Sequence, residues 1–162
     1  MPNVKPVDPE SLPAELSRYG RDPFYGILGR RPEILAAWAA LDETFFGPSS
    51  TVPNPIKEEG RRSLAQDVGC AFCASLGEPC DSPNDARSRL AASLGDQIAH
   101  DHTRINTSTF EGLRQEFSDE EIVELVSWLC FKFGSNVFGA LMKISPASEE
   151  QVGAYARFVA QD

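Results

Sequence analysis

The stretch Ser118 to Phe133 limits the fold more than any other part of this chain. Ser118-Asp119-Glu120-Glu121 has the form of a capping box, a serine followed three residues later by a glutamate. It opens a run in which Ile122, Val123, Leu125, Val126, Trp128, Leu129, Phe131 and Phe133 are apolar. A helix that is apolar nearly all round must be covered nearly all round, so it is expected at the centre of a helical assembly. Asn136 to Met142 is expected to continue it, with Gly134 as a break or a point of close packing. Glu124 and Lys132 interrupt the run, which argues against a membrane span.

The other segments follow the same period. Pro32 suits a first helical turn, and Ile34, Leu35, Trp38, Leu41 and Phe45 then recur at three- and four-residue steps, forming one expected inward stripe. Gly47-Pro48-Ser49-Ser50 ends that helix. Asn54 is the expected cap of the next, Pro55 lies in its first turn, and the segment runs to about Val68 before Gly69 breaks it. This helix is polar: of its side chains only Ile56, Leu64, Ala65 and Val68 are expected to be buried. A helix from about Cys70 to Gly77, one from Asp85 to Ala99 on Leu90, Leu94 and Ile98, a short one from Thr109 to Phe117, and a last one from Glu149 to Ala160 complete the pattern. No stretch alternates as a strand would. The fold class is all-α. Residues 1–20, with Pro2, Pro6, Pro9 and Pro13, read as an N-terminal arm with a helical turn at Pro13 to Tyr19, and residues 21–162 as a single helical domain.

Composition narrows the function. The formal charge of −9 over 162 residues argues against nucleic acid and anionic membrane surfaces as partners. Met1-Pro2-Asn3-Val4-Lys5-Pro6 lacks the apolar core of a signal peptide, so a cytoplasmic location is expected. Cysteines are normally reduced there, and a Cys-x-x-Cys then reads as redox or metal chemistry rather than as a structural staple.

That motif is present. Cys70 and Cys73 follow Gly69, and Glu58 lies on the preceding helix. A vicinal dithiol is a two-electron device: one thiolate attacks a peroxide or disulfide, and the second thiol resolves the product. If Gly69 ends one helix and Cys70 starts the next, both thiols fall in a first turn, neighbours at i, i+3, where the helix dipole favours a thiolate. A carboxylate near them would tend to hold a proton, as a general base must. Each residue has a plainer reading. The cysteines could fill small core volumes, and Glu58 could be a solvated surface charge like its neighbour Glu59. Cys70, Cys73, Cys80 and Cys130 could form a four-thiolate zinc site, but zinc sites of this kind offer two close pairs and this chain has one. Cys130 is expected in the core, and His100 and His102 at a helix end, where the dipole favours a cation.

Glu58, the eleven residues that separate it from Cys70, and Cys70-Ala71-Phe72-Cys73 together resemble the alkylhydroperoxidase D-like proteins of the carboxymuconolactone decarboxylase superfamily. Their hallmark is Glu-x11-Cys-x-x-Cys, often with Asn-Gly before the first cysteine; Val68-Gly69 stands there in this chain. The capped stretch Phe117 to Leu125, followed by Phe133-Gly134-Ser135-Asn136, is similar to the family's second half. Arg31-Pro32-Glu33-Ile34-Leu35 resembles its first helix, and the likeness covers about residues 23–144. The resemblance implies an all-helical bundle assembled as a homo-oligomer, a trimer or hexamer, and a thiol peroxidase or disulfide oxidoreductase with an antioxidant role. It implies Cys73 as the peroxide-attacking thiol, Cys70 as the resolving thiol and Glu58 in a proton relay. A hydroperoxide or disulfide would be the substrate and a thiol reductant the partner, with no cofactor and no metal. Phe72 and Gly77 occupy the positions where peroxidase members carry histidines. A non-catalytic oligomeric binding protein on the same scaffold is the alternative, and lactone decarboxylase chemistry a further one.

Overall fold

The computed structural model describes residues 1–160; Gln161 and Asp162, the end of the expected domain, lie outside the described residues. Eight α-helices make up the described chain, which contains no strand: α1 Pro23–Leu28, α2 Pro32–Phe46, α3 Asn54–Asp67, α4 Ala71–Ser75, α5 Ala86–Asp101, α6 Thr107–Leu113, α7 Asp119–Met142 and α8 Glu149–Val159. The all-α expectation therefore holds.

The helix ends have local causes. The Ser118 hydroxyl accepts the Glu121 amide proton, the Glu121 carboxylate accepts the Ser118 amide proton, and the expected capping box at α7 is complete. Ser148 and Gln151 do the same for α8. Asp85 caps α5 through the Ser88 amide. At α3 the register differs by one residue: Asn54 is already helical and Pro53 takes the cap position. The short helix expected from Thr109 starts two residues earlier, because Asn106 caps it by accepting from the Ser108 amide. Gly134 does not interrupt α7, which is one continuous helix of 24 residues.

Two apolar clusters hold the bundle together. The first surrounds Trp128, Leu125 and Leu129 of α7, each fully buried against Leu64 of α3 and Ala91 and Leu94 of α5. Burying side chains of this size contributes about 1.5–3 kcal/mol each. At the α3–α5 contact Gly95 faces Gly60 so closely that a Cβ on Gly95 would overlap the Gly60 carbonyl oxygen. The second cluster joins Leu12 and Leu16 of the N-terminal arm to Phe24, Ile27 and Leu28 of α1, Leu35 of α2, and the dithiol segment. The arm thus packs on its own chain, with the Val7 amide donating to the Gly26 carbonyl at 2.9 Å and the Asn3 amide to the Met142 carbonyl at 2.9 Å.

α7 has the length and composition to cross a bilayer. Its two interrupting charges are neutralised within the bundle: Lys132 pairs with Asp42 of α2 at 2.6 Å, and Glu124 with the fully buried Lys57 of α3 at 3.0 Å. The helix is less enclosed than its apolarity suggests. Val123, Val137 and Leu141 face outward, as does Cys130, which is exposed rather than in the core. On α2 the buried side is Leu35, Ala39 and Phe45, while Ile34 and Leu41 point outward. The expected stripe is therefore half right. α2 is apolar on two faces, and ring contacts of Phe45 and Trp38 with Phe131 on α7 select which one is covered.

Candidate functional site

The polar helix α3 is where sequence reasoning fails most clearly. Lys57 and Glu58 are fully buried, and Glu59 and Arg61 nearly so. A buried charge persists only when paired and hydrogen-bonded, and each of these is. Glu58 is not a solvated surface group. Its Oε2 accepts from Arg61 Nε at 2.7 Å, and its Oε1 accepts from the Tyr155 hydroxyl of α8 at 2.6 Å. Glu59 turns the other way, accepting from Arg62 Nη1 at 3.0 Å and from the Cys80 amide at 2.9 Å. Of the two neighbouring acids, Glu58 is the one on the dithiol side.

The turn at Gly69 is required by its backbone. Its φ is +83°, which a side chain resists, and nothing lies within 4 Å of where a Cβ would stand. This left-handed residue reverses the chain out of α3 and delivers Cys70 to the cap position of α4. The Cys73 amide donates to Cys70 Sγ at 3.1 Å. The two sulfurs lie at bonding distance as a disulfide, with their Cα atoms 5.3 Å apart, inside the usual range for such a bridge. α4 is only five residues long, so its dipole is a small influence here. α7 closes over the pair at Gly139, where a Cβ would collide with Cys70 Sγ and stand 3.4 Å from Cys73 Sγ.

Arg61 ties the acid to the dithiol. Its Nε holds Glu58, and its Nη1 donates to the Cys73 carbonyl at 3.0 Å. Glu58 therefore reaches the dithiol segment through a guanidinium, and its carboxylate oxygens are taken up by Arg61 and Tyr155. Burial pushes the Tyr155 hydroxyl well above its usual range, and the Glu58 carboxylate adds to the effect. For Arg61, burial opposes the charge, but Tyr155 and Glu58 more than compensate and raise its pKa. Tyr155 and Arg61 were not singled out from sequence as site residues. The usable signal was an arginine one helical turn after Glu58 on the same face; nothing local pointed to Tyr155.

A cavity of about 460 Å³ opens on this assembly. Cys73 lines it and Cys70 does not; their exposures, 7% and 1%, agree. Its exposed surface is mainly apolar, with Phe24, Trp38, Phe72 and Phe158 in the wall beside charged groups such as Asp42, Arg61 and Lys132. On one side the Tyr25 hydroxyl donates to Asp42, which also pairs with Lys132. Phe72 and Gly77, the positions that the resemblance sets against histidines, stand in the cavity wall and beside the Arg62 side chain respectively. His100 and His102 are exposed on the end of α5 and the turn after it and take no part in the cavity. Cys80 is exposed. Among the described residues the one grouping of metal-ligand type is the exposed set Asp67, Asp96 and His100, and it contains no cysteine. No family model, curated protein or solved structure matches the chain.

Proposed function

We propose that this chain is a dithiol oxidoreductase on an alkylhydroperoxidase D-like helical scaffold, reducing hydroperoxides or small disulfides in a reducing compartment. The observation that carries the reading is the asymmetry of the pair: the two sulfurs are at bonding distance, and only Cys73 borders the cavity. In the reduced protein the Cys73 thiolate attacks the terminal peroxide oxygen. The O–O bond breaks, the alkoxide takes a proton and leaves as an alcohol, and Cys73 becomes a sulfenic acid. The Cys70 thiol then attacks the Cys73 sulfur, its proton goes to the departing hydroxyl oxygen, the S–O bond breaks, water leaves, and the disulfide forms. A thiol reductant returns both cysteines to the reduced state. Glu58, Tyr155 and Arg61 form the buried polar chain behind the dithiol. In this reading Arg61 positions the Cys73 segment, and Glu58, itself held by Tyr155, holds Arg61.

The decisive experiment reduces the protein, adds one equivalent of peroxide and counts free thiols. The expected result is a loss of two thiols, abolished by Cys73→Ser. Reaction of neither cysteine faster than that of a free thiol would overturn the reading.

A second reading is favoured by one observation. With Phe72 and Gly77 in place of the family histidines, the cavity suits an apolar ligand better than a proton relay, and the chain would then be a binding protein on the same scaffold. Assembly into a homo-oligomer belongs to both readings. It is supported by the outward apolar side chains Val123, Val137 and Leu141 of α7 and Ile34 and Leu41 of α2. Light scattering tests it, and a monomeric mass would count against it.

A further inference from the structure

Both cysteines of the pair are enclosed, Cys70 at 1% exposure and Cys73 at 7%. A disulfide opens only when a reductant's thiolate reaches one of its sulfurs, so access controls the step. Cys70 offers no way in on the side of α7, because Gly139 lies so close to its Sγ that even a methyl group would collide with it. Attack is therefore at Cys73, from the cavity that it lines. A small thiol fits a space of about 460 Å³. A thiol carried on a much larger molecule does not, unless a wall moves.

The walls differ in how firmly they are held. Helices α1, α2, α3, α4 and α7 each bury apolar side chains in one or both of the two clusters. Helix α8 contributes Gln151, Ala154, Tyr155 and Phe158 to the lining, yet among its described residues Val159 alone is buried. Segments with few buried apolar contacts open locally at a fraction of the global unfolding free energy. The chain leading into α8 leaves room for a swing: Ile144 is buried in the second cluster, whereas Ser145 and Pro146 after it are exposed. A few side-chain contacts keep α8 down. The Tyr155 hydroxyl donates to Glu58 at 2.6 Å, with the Arg61 guanidinium 5.2 Å from its ring. The Phe158 ring lies 4.7 Å from that of Phe46 on α2. Ser75 accepts the Ala147 amide proton at 2.8 Å.

We propose that α8 is a lid, latched by Tyr155 on Glu58 and by Phe158 on Phe46, whose opening brings Cys73 within reach of a thiol on a molecule too large for the closed cavity. This rests on the oxidoreductase reading for the step that it gates. The reductant's thiolate attacks Cys73 Sγ, the S–S bond breaks, and Cys70 leaves as a thiolate that takes up the proton the reductant gave. A second thiol of the reductant attacks the reductant's sulfur in the mixed disulfide. Cys73 is released and takes the second proton, and the reductant departs as its own disulfide.

The test compares two reductants on the full chain in its disulfide form. Dithiothreitol is small enough for the cavity; reduced thioredoxin carries its thiols on a protein surface. Tyr155→Phe removes a hydrogen bond to a buried carboxylate. It is expected to raise the thioredoxin rate about tenfold or more and to change the dithiothreitol rate by less than about twofold. Phe158→Ala removes the ring contact and is expected to raise the thioredoxin rate about threefold. In wild type the α8 amides are expected to exchange hydrogen faster than those around Trp128 of α7, and Tyr155→Phe to speed α8 exchange by the same factor as the thioredoxin rate. Should one variant fail to fold, the other variant and the wild-type exchange pattern decide. Equal effects on both reductants, no effect on either, no reduction by thioredoxin in any of the proteins, or α8 amides as protected as those of α7 overturns the lid. If the rates shift as expected but the freed thiols react with neither peroxide nor small disulfides, the lid stands and the oxidoreductase reading falls. If peroxide oxidises the thiols and the rates do not shift, the reading stands and the lid falls.

Discussion

Tyr155 donates its hydroxyl proton to Glu58 at 2.6 Å across 97 residues of sequence, joining the last helix to the helix before the dithiol. Ser75 of α4 reinforces the join, its hydroxyl accepting from the Ala147 amide at 2.8 Å and holding the chain that leads into α8. The last helix therefore closes one side of the site instead of decorating the bundle. Tyr155→Phe removes one hydrogen bond to a buried carboxylate and little else. Its expected cost is about 1.5–3 kcal/mol, read from urea unfolding. A cost within error of zero would mean that α8 does not close on α3 in solution.

Glu58→Gln is expected to be worse. Glu58 balances Arg61, which is buried and, among the described residues, has no other carboxylate at hydrogen-bond distance. Removing one partner of a buried pair strands the other charge, at an expected cost of about 3–5 kcal/mol. Because Arg61 also holds the Cys73 carbonyl, the rate of thiol oxidation should fall with it. Stability by denaturant and thiol loss by stopped flow check the two effects separately.

Glu124 provides a pH signature. Burial pushes its pKa up, but hydrogen bonds from Ser50, Thr51 and Lys57 outweigh burial and bring it from the ordinary 4.5 to about 2. A folded-state pKa below the unfolded one means stability that is fully present above about pH 4.5 and lost as the pH falls towards 2. Glu124→Gln should lower stability by about 1.5–3 kcal/mol near neutral pH, from the loss of charged hydrogen bonds. Its deficit relative to wild type should shrink across that acid window. Parallel curves for the two proteins between those pH values would contradict the assignment.

Two glycine substitutions test different physics. Gly69→Ala meets no atom, only a backbone at φ +83°, so its cost is conformational and about 1–2 kcal/mol. Gly139→Ala sits in ordinary helix but drives a methyl group into Cys70 Sγ. It is expected to cost about 1–3 kcal/mol by overpacking and to change the reduction potential of the pair. Thermal unfolding and redox titration against glutathione separate the two.

Lys143 ends α7 in the left-handed region at φ 53°, where a lysine is strained. Lys143→Gly relieves that strain but frees the unfolded chain, for an expected net gain of about 0.5–1 kcal/mol in urea unfolding.

How far the sequence reached can be judged from α7 and α3. The α7 capping box, its apolar run and the break at Gly69 are local codes, since caps and positive φ involve residues a few positions apart. They were legible as written, and so was the i, i+3 spacing that brings Cys70 to Cys73. On α3, polarity suggested an exposed helix, and the structure buries its charges. That outcome depends on partners at Glu124, Tyr155 and the Cys73 carbonyl, contributed by α7, α8 and α4. Likewise, both apolar faces of α2 look alike in sequence, and the aromatic rings of α7 choose between them.

The order of residues by itself determined an all-helical chain, where most of its helices begin and end, and a sulfur pair after a forced turn. Only the tertiary structure decided that Glu58 lies in the interior, that Tyr155 and Arg61 share it, and that Cys73 rather than Cys70 faces an apolar cavity. The physical reason is distance along the chain. Helix signals act over one or two turns, whereas burial of a charge is tolerable only when groups tens of residues away arrive to neutralise it.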